Sequence, residues 1–227
     1  MISFHDIAKG SDHMIKFLHV ATGIRVEFPA FITEYTDNFQ VSWGNETIFG
    51  RMDPIKPYQG TTRSISLGFD VVSPSLEKAR QNMNNYSTLV QMMYPVYNKP
   101  LSGGFKGRGR TIKAPPLLRI KLLNLIKNNS DASEEDGLLG CIQGFSFNPN
   151  KEAGYFDLGN ELLPKHFNIS IRFDPQHEHT LGFDEDKFTT RGFPYGRPAQ
   201  DNRADRTNTS DREVNSKNQN DLLKGGG

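Results

Sequence analysis

The chain has 227 residues, which at about 150 residues per domain corresponds to one core domain with some additional chain. Its 27 lysines and arginines are balanced by 26 aspartates and glutamates, which disfavours a globally basic nucleic-acid-binding protein but leaves a local basic patch open. The single cysteine, Cys141, excludes an internal disulfide framework and a zinc site built from several cysteines. No apolar run approaches the roughly 20 residues of a membrane span, and the N-terminus lacks a signal-peptide pattern. These features predict a soluble protein, made in the cytosol, that does not contact a membrane.

The first part of the chain is dominated by β-strand patterns. Two apolar segments, at 15–20 and 24–28, flank the turn sequence Ala-Thr-Gly and predict a hairpin. Further strands are predicted where apolar and polar residues alternate or apolar runs follow turn residues. These strands cover residues 31–35, 39–43, 64–71, 118–126, 139–147 and 166–173. Along 64–71 the apolar side chains share one face, and Ser64, Ser66, Gly68 and Asp70 share the other.

One amphipathic helix is predicted in the middle of the chain. Ser73 is the expected N-cap and Pro74 the first helical residue, while Pro95 ends the helix. An apolar stripe at spacings of three and four residues is expected to cover the sheet. It comprises Leu76, Ala79, Met83, Tyr86, Val90 and Met93. Many strands with one long helix predict an α+β fold that is mainly antiparallel β.

The composition changes after residue 183. Residues 1–183 are predicted to form a β-rich core domain, and residues 184–227 a polar, extended C-terminal arm. The arm has too few apolar residues to order by itself, so it is either disordered or becomes ordered against a partner. Its aromatic residues Phe188, Phe193 and Tyr195 are the expected anchors, because aromatic side chains contribute most contact energy per residue.

The sequence contains no recognisable catalytic constellation, and we expect neither an enzyme nor a bound metal or cofactor. His177 and His179 would face one side of an extended strand and could share a metal, but no third ligand follows at a suitable spacing. Two polar histidines at a strand end are the favoured interpretation. Cys141 lies in an apolar strand, where a free cysteine behaves as a small hydrophobe.

A glycine-rich basic loop at residues 102–113 is a candidate nucleic-acid contact. Lys106, Arg108, Arg110 and Lys113 could contact a phosphate backbone there. The loop does not have the GxxxxGK[ST] pattern of a P-loop. A solvated surface loop is the alternative.

The order of short motifs resembles a known family. The motifs are GRMDP at 50–54, YQ at 58–59, TTR at 61–63, MYPVY at 93–97, APPLLRI at 114–120, GLLG at 137–140, GYF at 154–156, LPK at 163–165 and HEHTLG at 177–182. This order resembles the tail-tube-related baseplate proteins of contractile-tailed bacteriophages, the tube initiators between central hub and tail tube. The resemblance spans about residues 45–183.

The resemblance implies a specific architecture and role. Tail-tube folds are antiparallel β-sandwiches or split barrels flanked by one helix, and six copies pair their sheet edges into a ring that lines a DNA channel. Implied partners are further copies of this chain in a homohexameric ring, the tail tube protein, baseplate hub and wedge proteins, and transiting DNA by non-specific contact. The implied location is the tail or baseplate of the virion. The polar face of strand 64–71 would then line the channel.

Single residues in the resembling segment have plainer interpretations. Arg51, Asp53 and Arg63 could pair across subunits, with a solvated face as the default. Trp43 is interpreted as a half-buried strand residue rather than a partner anchor. Two other functions stay open on the sequence: a baseplate wedge or hub adaptor, and a nucleic-acid-binding module that uses the loop at 103–113.

Overall fold

The computed structural model describes residues 14–29, 31–98, 111–128, 137–184, 187–188 and 193–195. One helix, α1 (Leu76–Met92), lies between strands that precede and follow it in the chain. The strands are β1 (Met14–His19), β2 (Arg25–Pro29), β3 (Phe31–Trp43), β4 (Tyr58–Val72), β5 (Val96–Tyr97), β6 (Ile112–Ala114), β7 (Leu118–Leu122), β8 (Leu138–Pro149), β9 (Tyr155–Asp157), β10 (Leu162–Pro164), β11 (His166–Pro175), β12 (Phe183–Asp184) and β13 (Lys187–Phe188).

Seven strands form one antiparallel sheet in the order β2-β1-β7-β8-β11-β4-β3. Its edges, β2 and β3, lie at opposite ends and do not pair with each other, so the large sheet is open and not a closed barrel. The remaining described strands form the two-stranded sheets β9–β10, β12–β13 and β5–β6. The predicted α+β class, mainly antiparallel, is confirmed.

The hydrophobic core lies between one face of the sheet and α1. Alternation places Ile65, Leu67, Phe69 and Val71 of β4 in this core, as predicted from the sequence. Their neighbours on β11 are Phe167, Ile169, Ile171 and Phe173, which follow the same alternation and are also buried. Phe28 and Phe69 pack with ring centroids 5.7 Å apart, which brings the β1–β2 hairpin against β4 across the core.

The helix begins later than predicted, and its buried strip overlaps the predicted stripe only in part: Ala79 is buried and Met83 and Tyr86 pack against the core. Its N-cap is Ser75, whose hydroxyl accepts from the Lys78 amide at 3.3 Å. The hydroxyl of Ser73, the predicted cap, is instead buried and accepts from Asn82 Nδ2 at 2.9 Å. The large side chains that α1 buries most completely are Leu89 and Met92, which the predicted stripe omitted.

Two predicted strands are a single element. The segments at 31–35 and 39–43 belong to the 13-residue strand β3, which pairs with the 15-residue strand β4. The intervening residues Thr36, Asp37 and Asn38 break the apolar alternation but not the ladder of backbone hydrogen bonds. The strand predicted at 118–126 is shorter, because the chain turns at Leu123, which has a φ of 46°, and Leu122 then bonds back to Ile126.

The predicted boundary between core and arm falls inside a short hairpin. Phe183 and Asp184 of β12 pair with Lys187 and Phe188 of β13. The division at residue 183 stays a prediction. Residues 196–227, most of the predicted arm, lie outside the described residues.

Candidate assembly interface

The β3–β4 pair extends beyond the rest of the sheet. β4 pairs with β11 only over Ile65–Val72, whereas β3 and β4 continue to pair as far as Trp43 and Tyr58. We call residues 38–64 the hairpin arm. Its loop continues the antiparallel pairing through reciprocal backbone hydrogen bonds of 2.9 Å between Glu46 and Ile55. The arm is therefore an ordered two-stranded extension of the sheet.

The hairpin arm has one polar and one apolar face, because residues directly opposite each other in an antiparallel pair share a face. Asn38 lies opposite Ser64 and Gln40 opposite Thr62, which gives the polar face. The apolar face carries Phe39, Val41 and Trp43 from β3 with Arg63, Thr61 and Tyr58 from β4. The faces continue the polar face and the core face of the large sheet, respectively.

Exposed apolar side chains are concentrated on this arm. Phe49 and Met52 at its tip have relative exposures of 106% and 99%, and Trp43 contacts Tyr58 edge-on at 5.4 Å but is itself exposed. Trp43 is a strand residue, as interpreted from the sequence, but at 56% relative exposure it is somewhat more exposed than half-buried. A cluster of exposed apolar residues on one projecting element is typical of a protein-interaction surface.

A buried ion pair lies at the base of the hairpin arm. Arg63 Nε and Nη2 donate to the two carboxylate oxygens of Asp37 at 2.9 and 2.7 Å. Both side chains are almost completely buried, at 3% and 2% relative exposure. The bidentate geometry fits the planar guanidinium, and burial makes each charge depend on the other. Arg63 is therefore a structural residue and not part of a solvated face.

The C-terminal segment Phe193, Pro194 and Tyr195 covers this ion pair. The Arg63 guanidinium lies against both the Phe39 and the Phe193 rings, 5.2 and 5.3 Å from their centroids. The Tyr195 hydroxyl donates to Asp37 Oδ2 at 3.0 Å. Phe193 also meets the rings of Phe39 and His177 edge-on, at 6.0 and 5.4 Å. We call Asp37, Phe39, Arg63 and His177 the acceptor site, and 193–195 the docking segment.

Burial shifts the pKa values of the groups around the acceptor site. It lowers the pKa of His177 below its usual 6.5, and the nearby Arg63 cation lowers that pKa further. Burial raises the pKa of Tyr195 above 10, and its hydrogen bond to Asp37 acts in the same direction. Tyr35 has a pKa raised well above 10, first by burial and then by the Asp37 charge, and its hydroxyl donates to the Leu125 carbonyl at 3.0 Å. The docked segment is thus held with a neutral imidazole and neutral phenols.

The histidine pair follows β11 and does not lie on an extended strand. β11 ends at Pro175, and the chain bends at Glu178 and His179. The Glu178 carboxylate accepts from both terminal nitrogens of Arg119, at 2.7 and 2.6 Å, whereas His179 Nε2 lies 3.2 Å from Asn128 Oδ1. In the described part of the chain, no three His, Cys, Asp or Glu side chains form a group that could hold a metal ion.

The other predicted site residues are only partly within the described ranges. Lys113 lies on β6 and is exposed, whereas Lys106, Arg108 and Arg110 lie outside the described residues. The backbone of Phe188 belongs to β13. Phe193 and Tyr195 both contact the core, as anchors would, but their role in assembly stays a prediction.

The sheet face opposite the core is polar and composed of small residues. Cross-strand pairing brings Ser66, Gly144, Ser146 and Ser170 together on this face, around a shallow depression of about 340 Å³. Towards the end of β11, Asn168 Nδ2 donates to Asp70 Oδ1 at 2.8 Å. Glu34 and Arg172 also line the depression, so this face exposes hydroxyl groups, amides and backbone together with charged side chains.

Sequence reasoning missed the acceptor site. Asp37 and Arg63 are 26 residues apart and meet only because the β3–β4 register sets Asp37 opposite Ile65 and Phe39 opposite Arg63. The available signal was a charged residue on the apolar side of each strand, next to an aromatic residue. Such inward-facing charges indicate a pair or a covering segment.

Comparisons with known proteins give a limited result. No family model matches the chain, and no curated protein matches it. Among solved structures, a chain of the anti-feeding prophage baseplate, determined by cryo-electron microscopy with sixfold symmetry, is similar to this chain at 12% identity and a TM-score of 0.29. The match covers 70% of this chain and 87% of that one. A similarity of this degree assigns no function. No helix among the described residues has the length and hydropathy of a membrane span.

Proposed function

We propose that this chain is a structural virion protein of a contractile-tailed bacteriophage. In this proposal it forms a homohexameric ring at the junction of baseplate and tail tube, and the ring initiates or extends the tube around the DNA channel. The observation that carries the proposal is the hairpin arm, an ordered extension of the sheet with exposed apolar residues at its tip. The order of short motifs between residues 45 and 183 supports the same family.

The open sheet supports a ring. β2 and β3 are the edge strands of the described sheet, and an edge strand presents backbone groups that other strands can complete. On β2, Asn85 Nδ2 of α1 already donates to the Glu27 carbonyl at 3.2 Å. A closed ring of identical copies pairs every such edge with a neighbour and leaves no free edge to aggregate. We therefore place the subunit contacts along β2 and β3.

The polar face supports a channel lining. In the part formed by β4, β8 and β11 it carries Ser66, Ser146 and Ser170 with glycine, beside the opposite charges of Glu34 and Arg172, and such a mixed surface attracts a polyanion less than a lysine-rich one. The balanced overall charge agrees with a conduit that does not retain DNA. The core face, covered by α1, would then face outwards.

We also propose a structural and not an enzymatic role. The residues with the most reactive side chains take part in packing and ion pairs: His177 packs on Phe193, and Glu178 binds Arg119. Cys141 lies within β8, with its sulfur 4.0 Å from the Asp174 carbonyl oxygen.

Negative-stain electron microscopy of the protein, alone and mixed with tail-tube subunits from the same source, tests the proposal. Sixfold rings, or tubes that start from this protein, are the expected result. A monomer that does not bind tube subunits but binds wedge or hub proteins would contradict the tube role and identify a baseplate adaptor.

The hairpin tip is tested separately by the double variant Phe49→Ser/Met52→Ser. Both side chains are fully exposed, so we expect the free energy of unfolding to change by less than about 0.5 kcal/mol. We expect assembly, measured by sedimentation velocity, to need at least tenfold more protein. Leu162→Ser on β10, an equally apolar exposed site away from the arm, is the matched control and should assemble normally. Equal assembly of all three proteins would exclude the tip as a contact.

A further inference from the structure

The acceptor site at the base of the hairpin arm is built around a segment from a distant part of the chain. Asp37 and Tyr195 are 158 residues apart and are joined by a 3.0 Å hydrogen bond. The site offers three different recognition elements: a carboxylate for the Tyr195 hydroxyl, a guanidinium for the face of Phe193, and the edges of two rings around it. This combination of a hydrogen-bond acceptor, a cation and an aromatic wall fits an aromatic ring followed two residues later by a tyrosine hydroxyl.

The contacts also make the occupant necessary. The ion pair between Arg63 and Asp37 is almost fully buried, and Phe193 supplies one of the two rings that contact the guanidinium. Removal of the docking segment would expose Phe39 further and leave the Asp37 carboxylate without the Tyr195 hydroxyl. An empty acceptor site is thus unfavourable, whichever chain supplies the segment that fills it.

We propose that the acceptor site of one copy binds the docking segment of a second copy, so that the C-terminal segment is exchanged between neighbouring subunits. Identical chains carry identical segments and sites, so the exchanged contacts equal the internal ones and the exchange creates no new unfavourable contact. A short tether within one chain holds the docking segment near its own acceptor site at an effective concentration in the millimolar range. In an assembly, a neighbouring copy presents its docking segment to that site at a similar effective concentration.

The site's position favours this partner. It lies at the root of the hairpin arm, on the same face as Val41, Trp43 and Tyr58, which are exposed. A second copy that packs on this apolar face would place its own chain next to the acceptor site. The exchange does not depend on where in a tail the protein stands.

Complementary full-length variants test the exchange. Phe193→Ala disables the docking segment and keeps the site, whereas Phe39→Ala removes one wall of the site and keeps the segment; Phe39 is exposed enough for the fold to tolerate the change. At a concentration where the unaltered protein is monomeric, an equimolar mixture should form a heterodimer by sedimentation, at least tenfold more than either variant alone. The matched control mixes Phe193→Ala with Val41→Ala, a substitution on the same face that leaves the acceptor site intact. The docking segment of Val41→Ala should stay in its own acceptor site, so this mixture should form no additional heterodimer.

A peptide of residues 187–199 supplies the second measurement. Labelled for fluorescence anisotropy, it should bind the Phe193→Ala protein at least tenfold more tightly than the unaltered protein, whose site is occupied. Tyr195→Phe, which removes only one hydroxyl, gives a milder acceptor in case Phe193→Ala does not fold. Peptide binding without a heterodimer would show that the segment docks only within its own chain and would overturn the exchange. The exchange would also be overturned if Phe39→Ala alone associated as strongly as the mixture of the two variants. Contacts other than the docking segment would then explain the association.

Discussion

At the scale of single residues, the Asp37–Arg63 pair is the most sensitive point of the structure. Both side chains are buried, and each charge is compensated mainly by the other. Breaking a buried pair leaves one uncompensated charge, whereas replacing both partners with apolar side chains removes the desolvation cost of the two ions. The pair therefore fixes the β3–β4 geometry more than it adds to the free energy of folding.

This view predicts non-additive effects of substitution. Asp37→Leu should lower the free energy of unfolding by about 3–5 kcal/mol, and Asp37→Leu/Arg63→Leu should recover most of that loss, as measured by urea denaturation. The matched control is Glu161→Gln, because the Arg80–Glu161 pair is more than half exposed and should matter by less than about 1 kcal/mol. A double variant as unstable as the single one would contradict the interpretation.

Gly140 is a second position where a single added atom, a Cβ, would lower the stability of the fold. A Cβ built there would lie 2.6 Å from Phe173 Cζ and collide with the Asp174 carbonyl oxygen, both on the neighbouring strand β11. Gly140→Ala should therefore lower the melting temperature clearly, with an overpacking cost of about 1–3 kcal/mol or more. Gly144→Ala in the same strand is the control, since its Cβ would stand 3.6 Å from Arg172 Cβ, an ordinary contact. Similar melting temperatures of both variants would count against the tight β8–β11 approach.

At the scale of elements, α1 stabilises the fold through a strip that is shifted from the one its sequence indicates. Leu89 and Met92 belong to the core, and the ring of Tyr86 lies 4.4 Å from that of Phe147. Val90, which the sequence stripe included, is only half-buried. The helix is therefore rotated towards Leu89 relative to the predicted stripe.

Neighbouring alanine substitutions check this rotation. Leu89→Ala should lower the free energy of unfolding by about 2–5 kcal/mol, because it leaves a cavity in the core. Val90→Ala removes a partly solvated side chain and should cost less than half as much. Urea denaturation of both proteins measures the two changes in the free energy of unfolding. A larger change for Val90→Ala than for Leu89→Ala would support the stripe predicted from the sequence instead.

At the scale of the whole molecule, histidines and tyrosines whose pKa values are shifted on folding limit the pH range of stability. Burial lowers the pKa values of His19 and His177 below 6.5, so in acid the unfolded chain binds protons before the folded chain does. Tyr35 and Tyr195 have pKa values raised above 10, so in alkali the unfolded chain loses protons first. Both differences reduce stability away from neutrality.

We therefore expect a plateau of stability between about pH 6.5 and pH 10, with losses as the pH falls below it or rises above it. Thermal unfolding followed from about pH 5 to pH 11 measures the profile. His177→Gln should flatten the acid limb, and Tyr195→Phe the alkaline limb, each without moving the other. Identical profiles of the variants and the unaltered protein would exclude the acceptor site as the origin.

The sequence predicted the fold better than it predicted the site. Period-two alternation identified most strands of the large sheet, because each has one face in the core, as Ile65 and Phe167 illustrate. It divided β3 in two, because the charged Asp37 interrupts the apolar alternation between Tyr35 and Phe39. The acceptor site depends on strand register and on a contact between residues 37 and 195, and neither leaves a local pattern. The aromatic anchors of the segment, by contrast, were visible as an island in polar chain.

The length of the β3–β4 ladder has a mechanical consequence. The two strands pair from Phe31 to Trp43, and their hydrogen bonds run across the strands. A pull on the tip along the strand direction puts both strands of the arm under tension together and loads the β4–β11 hydrogen bonds in shear, whereas a pull perpendicular to the sheet bends the arm at its base. The hairpin arm would transmit axial tension stiffly into the sheet and yield more readily to bending, so its resistance to force depends on the direction in which a neighbour pulls it.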